Sequence, residues 1–179
     1  MRRILLILLL MLVAWKLFGK DSPVILGEGV KVATVPIQKN IDNASSYHFK
    51  GYQITPLASF KLKAKILAKE EYFWGREADL SPVDLALGWQ NMSDESVLDK
   101  IEISQSGRWY YWSVASFPIP RRSIETQSAN MHMVPATEQI EGRIDLVREG
   151  QIVEISGKLI RVDADDGWIW KSSLSREDT

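Results

Sequence analysis

Between Ile4 and Ala14 no side chain offers water a hydrogen bond, and that run limits what the chain can become more than any other stretch. A helix apolar on every side must sit in a protein core or in hydrocarbon. Its flanks decide between the two. Met1-Arg2-Arg3 precedes it, the apolar run extends through Trp15, Lys16 interrupts it, and Leu17-Phe18 lead into Gly19-Lys20. A basic flank, an apolar stretch and a polar turn are the layout of a secretory signal or signal anchor. A full span needs about 20 residues, with a lower limit near 17. Leu5 to Phe18 approaches that length if Lys16 lifts its ammonium to the interface along its four-carbon stem, with Trp15 and Phe18 in the interfacial belt.

Signal cleavage needs small residues at positions −3 and −1. Ala14-Trp15-Lys16 and Phe18-Gly19-Lys20 both fail, so the segment is expected to be retained. Arg2, Arg3 and the terminal amine predict a cytoplasmic N-terminus in a single-pass bacterial inner (plasma) membrane protein. The remainder is then periplasmic or extracellular. The expected division is a signal anchor or transmembrane segment over 1–20, a tether or irregular extension over 21–45, and a soluble domain over 46–179.

Composition narrows the partners. The formal net charge is −1, from 22 basic and 23 acidic residues, which argues against nucleic acid as a partner because phosphate binding calls for a basic surface. Cys is absent, which removes disulfides, a thiol nucleophile and thiolate metal sites. The two histidines are far apart in sequence, with no His-x-x-x-His pair. No metal site and no cofactor is therefore predicted. Asp163-Ala164-Asp165-Asp166-Gly167 is acidic but lacks the ligand spacing of a calcium loop, and reads as a hairpin turn.

Period-two alternation dominates the body of the chain. Phe60, Leu62, Ala64, Ile66 and Ala68 alternate with Lys61, Lys63, Lys65, Leu67 and Lys69, a strand with one apolar and one lysine-rich face. Such lysines mark a solvated face or a protected edge. Tyr47 to Phe73 is expected to form two paired strands turning at Pro56-Leu57-Ala58-Ser59, and Val30, Val32 and Val35 a short strand. Ser81-Pro82-Val83-Asp84 resembles a helix start, with Leu85, Ala86, Leu87 and Trp89 on its apolar face. A second helix is predicted from Ser93-Asp94-Glu95, and a third over Thr137–Val147. Arg108 to Val114 is aromatic and β-favouring. Arg121 to Pro135 reads as a long polar connection. Ile152 to Val162, interrupted at Ser156-Gly157, pairs with Trp168-Ile169-Trp170 across the Asp-Gly turn. Six or seven strands and three short helices give an α+β class, mainly antiparallel sheet and barrel-like toward the C-terminus, behind an N-terminal membrane helix.

The segments Ser81-Pro82-Val83-Asp84-Leu85-Ala86-Leu87-Gly88-Trp89, Ile103-Ser104-Gln105-Ser106-Gly107-Arg108-Trp109-Tyr110 and Ser128-Ala129-Asn130-Met131-His132 resemble motifs of a group of uncharacterised bacterial proteins anchored by one N-terminal membrane segment. The resemblance covers most of the chain after residue 45 and implies no activity. It does imply further sequence beyond Thr179, and so a terminal hairpin with an open edge.

His132 is the best candidate for chemistry, because imidazole titrates near neutrality and serves as acid, base or ligand. Asn130 lies beside it. Ser104 or Ser106 would supply a nucleophile and Asp84 an orienting carboxylate, although no nucleophile-elbow spacing is present. A histidine pinning a long loop is the structural alternative. Arg108, Trp109, Tyr110 and Trp112 are candidate binding residues: on a strand Trp109 and Tyr111 share one face, Arg108, Tyr110 and Trp112 the other, and whichever set is exposed forms a patch. Arg121-Arg122 reads as a solvated basic pair. Three functions fit. The first is a membrane-anchored extracytoplasmic interaction or assembly module, with another envelope protein as partner. The second is an envelope hydrolase using His132. The third is a sugar- or oligonucleotide-binding barrel-like domain using the C-terminal hairpin.

Overall fold

The computed structural model describes residues 22–175. The expected membrane segment lies outside them, and no helix among the described residues is long and apolar enough to cross a membrane. Among the described residues there are nine strands and four α-helices: β1 (Ile37–Asn40), β2 (Tyr47–Phe49), β3 (Tyr52–Glu71), α1 (Arg76–Leu80), β4 (Val83–Gly88), α2 (Glu95–Leu98), β5 (Glu102–Ser106), β6 (Trp109–Ser113), α3 (Arg121–Thr126), β7 (Ser128–Met133), α4 (Glu138–Asp145), β8 (Ile152–Asp163) and β9 (Ile169–Lys171).

β3 organises the molecule. The alternation noted from Phe60 runs along the whole 20-residue strand, with Ile54, Ala58, Phe60, Leu62, Ala64 and Ile66 buried. Lys61 and Lys63 face out, whereas Lys65 is buried and ion-paired with Glu95. β1, β2 and β4 line one edge of β3 and β8 the other, all antiparallel. The main path runs β7-β4-β3-β8-β9, and β5 and β6 form a separate two-stranded sheet. Register shifts at Pro56/Ala58 and Ile66/Ala68 place bulges in β3. Bulges bend a strand and increase its twist. The sheet curls into a half-barrel far enough for its terminal strands to touch: the His132 ring on β7 lies 5.1 Å from the Trp170 ring on β9. The main core fills the curl with Phe60, Leu62 and Ile66 from β3, Val83, Leu85 and Leu87 from β4, and Val32 and Trp89.

Several sequence expectations give way. Pro56-Leu57-Ala58-Ser59 is not a turn but the interior of β3, and the two expected strands are one. Proline is tolerated there because it adjoins a bulge. Val83–Gly88 is a strand, not a helix. All six of its residues are buried, and a strand covered on both faces reads as a continuous apolar run rather than an alternating one. The cap-like Ser81 instead closes α1. The Arg121–Pro135 connection is α3 followed by β7, which pairs with β4 from Ser128 to Met133. β8 continues through Ser156-Gly157 without interruption. Its outer edge is paired with β9 only from Arg161 to Asp163 among the described residues. The predicted α2, capped by Asp94, the predicted α4, capped by Thr137, and the terminal hairpin are present.

The expected tether is largely fastened to the domain, and the strand expected over Val30, Val32 and Val35 does not form; β1 begins only at Ile37. The Val24 N–H donates to Glu149 O at 2.8 Å. Leu26 N–H donates to Glu95, Gly29 N–H to Asp94, and Lys31 and Val32 N–H to Ser93 Oγ. Gly150 permits the first contact: its φ is +81°, and a Cβ there would stand 1.9 Å from Val24 O. Gly150→Ala is therefore expected to release Val24 and to cost roughly 1–2 kcal/mol through the left-handed backbone alone. Faster amide exchange at Val24, with the β3–β8 ladder still protected, is the check.

Candidate functional site: the Asp84–Arg108–His132 cluster

β4 sends Leu85 and Leu87 into the half-barrel, and by strand alternation Asp84, Ala86 and Gly88 take the opposite face. Register places His132 directly across from Asp84, and Asn130 across from Ala86. The β5–β6 hairpin adds the third part. Its turn residues Gly107 and Arg108 both have positive φ, 58° and 73°, the primed geometry that matches strand twist. Glycine is easy there, but a left-handed arginine costs backbone energy. The arginine side chain makes the compensating contacts.

Arg108 Nη1 donates to Asp84 Oδ1 at 2.8 Å and to Ser81 O at 2.9 Å. Its guanidinium lies 3.7 Å from the Tyr72 ring centroid and 5.9 Å from that of Trp170. Its amide donates to the Tyr72 hydroxyl at 3.0 Å, and Glu77 stands 3.8 Å from Nε. Burial raises the Tyr72 phenol above its ordinary pKa. His132 Nδ1 lies 2.9 Å from the same Asp84 oxygen, with the His132 side chain 32% exposed and that of Asp84 wholly buried. Asn130 Nδ2 donates to Arg108 O, and Gln105 Nε2 to Asn130 Oδ1. Tyr110 OH is 3.3 Å from Ser128 Oγ, which in turn donates to Ile124 O. Asp84 Oδ2, Ser81 Oγ and Gln105 Oε1 are buried without a hydrogen-bond partner, so the polarity gathered here exceeds what the cluster itself satisfies.

The residues singled out in the sequence separate into groups. Asp84, Arg108, Asn130 and His132 converge, and Tyr110 joins through Ser128. Ser104 and Ser106 do not: both are exposed on the side of β5 opposite Gln105, so neither is placed to give His132 a proton. Trp112 packs with the apolar cluster of Met92, Ile101 and Ile124, and Arg121 stacks over it at 5.9 Å while pairing with Glu125. Trp109 points outward and is 70% exposed. Tyr72, Ser81, Gln105 and Trp170 are additional members. Ser81 and Gln105 lie inside the motif segments quoted above, whereas Tyr72, at the end of β3, carried no signal.

An aromatic row continues the site along the hairpin. Trp170 lies 6.0 Å from Trp168, and Trp168 lies 5.8 Å from Tyr52. Arg76 sits over Trp168 and pairs with Asp166, whose carboxyl it holds down at about 2. Among the described residues no cluster of three or more His, Asp or Glu is placed to hold a metal ion. Surface hollows bordered by Lys100, Glu102 and Ser113, and by Val24, Lys65 and Glu95, include no member of the cluster. No family model, curated protein or solved structure matches the chain.

Proposed function

We propose that this is an extracytoplasmic interaction or assembly module, held at a bacterial membrane by residues 4–18, with another envelope protein as its partner. One observation carries the reading. The β5–β6 hairpin is fixed at its turn by Arg108 and Asp84 while its outer face presents Trp109 and Tyr111 to solvent. Phe73 and Trp74, also exposed, follow Tyr72, whose hydroxyl receives the Arg108 amide. Trp74 is 91% exposed. Rigidly held, exposed aromatic side chains are the typical anchors of protein interfaces.

Trp109→Ala combined with Tyr111→Ala is expected to abolish co-purification of the partner from detergent-solubilised membranes. It should change unfolding free energy by less than about 0.5 kcal/mol, as for exposed positions generally. Undiminished co-purification would dismiss the interface.

The Asp84–His132 contact favours a second reading, an envelope hydrolase. A carboxylate on Nδ1 orients an imidazole and leaves Nε2 for proton transfer. With Ser104 and Ser106 out of reach, the nucleophile would be water. Wild-type turnover of a fluorogenic ester no faster than that of His132→Gln removes this reading.

A further inference from the structure

We propose that the face carrying Ile25 and Leu146 rests against the bilayer interface. This rests on the anchor reading above and adds a contact to it. The chain passes from Phe18 to Val24 in six steps, which span at most about 20 Å when fully extended. At Val24 it is already bonded to Glu149. The domain therefore hangs on a short leash attached at one known point, and the surface around that point stays near the membrane.

That surface is apolar where it has no reason to be in water. Ile25, next to Val24, is 82% exposed, and Leu146, three residues before Glu149, is 78% exposed. The neighbouring Ile144 and Val147 turn inward and pack on the main core, so Leu146 is left on the outer side of the end of α4. Large aliphatic side chains at this height fit the boundary between headgroups and acyl chains. Arg143 and Arg148 flank Leu146, but so do Asp145 and Glu149. The contact is accordingly apolar rather than electrostatic, and salt should not loosen it.

The absence of native Cys makes single-site labelling clean. Full-length Ile25→Cys, Leu146→Cys and Asp165→Cys would each carry a nitroxide and be reconstituted into phosphatidylethanolamine–phosphatidylglycerol vesicles. Position 165 lies in the turn after β8, a strand of 12 residues, and so roughly 36 Å of strand from the Val24 attachment. Labels at 25 and 146 are expected to show collision with a water-soluble nickel chelate reduced roughly fivefold relative to 165, with oxygen collision increased. Both effects should persist at about 0.5 M salt. If the protein floats with the vesicles but positions 25, 146 and 165 are equally open to nickel, the membrane contact is wrong and the anchor stands. Protection at 165 equal to that at 25 and 146 overturns it too, because no single face is then selected. Protein that fails to float overturns both readings.

Discussion

Arg108→Met is expected to lower the unfolding free energy by about 3–5 kcal/mol, the cost of stranding one partner of a buried ion pair. Asp84 is wholly buried and the Arg108 side chain is 14% exposed, so the carboxylate left behind keeps only the His132 contact and has little water to turn to. For a domain of this size that corresponds to a fall in Tm of roughly 6–20 °C. Two further variants separate the causes. Arg108→Gly relieves the left-handed backbone but loses the same side-chain contacts, so it should remain destabilised. The double variant Asp84→Leu with Arg108→Met should recover much of the loss, because replacing both members of a buried pair by apolar groups is often near neutral. Urea unfolding of the full-length protein in mild detergent, followed by Trp fluorescence, reads all of these. Losses that simply add in the double variant would show that Asp84 and Arg108 are not coupled, and that the hairpin is held by its apolar contacts instead.

The same cluster shows where local sequence rules carry and where they stop. Alternation from Phe60 to Ala68 identified a half-buried strand because from Phe60 to Ala64 each residue's environment follows its parity; at Lys65, buried and paired with Glu95, it does not. It did not reveal that the strand reaches from Tyr52 to Glu71, because proline and a bulge imitate a turn to any local reading. Ser81-Pro82-Val83-Asp84 offers a helix cap, and Leu85-Ala86-Leu87 suits a helix as well as a strand. β4 is decided by pairing with β3 and β7, contacts that no short window contains. Asp84 and His132 were both singled out, yet their adjacency follows only from that register. Arg108 heads a β-favouring run in the sequence, whereas its value lies in a turn that projects it across to β4. Ser104 and Ser106 lost their proposed role for a parity reason: Gln105 faces the cluster, so its neighbours cannot.

Gly88→Ala is expected to damage the core of the sheet through a single added methyl. Gly88 closes β4, paired with Lys65 on one side and Ser128 on the other. A Cβ there would stand 2.1 Å from the Met92 carbonyl oxygen and 2.9 Å from a Leu67 methyl. Leu67 can rotate, but the carbonyl is backbone in the tight turn Gln90–Ser93, and Met92 is fully buried. The turn must therefore shift, and Ser93 shifts with it. Ser93 Oγ accepts the Lys31 and Val32 amides, so the displacement also loosens Val32, a core residue. Overpacking of this kind costs about 3 kcal/mol or more when backbone is in the way, or roughly 6–12 °C in Tm. Amide exchange should quicken at Val32 and Trp89 before it does along β8. Gly157→Ala is the matched control: it has no neighbour within 4 Å and no positive φ, and its stability should stay within about 0.5 kcal/mol of wild type. Equal losses at the two glycines would mean that the added methyl acts through strand propensity rather than through the Met92 carbonyl, and that the turn does not lock the N-terminal segment onto the sheet.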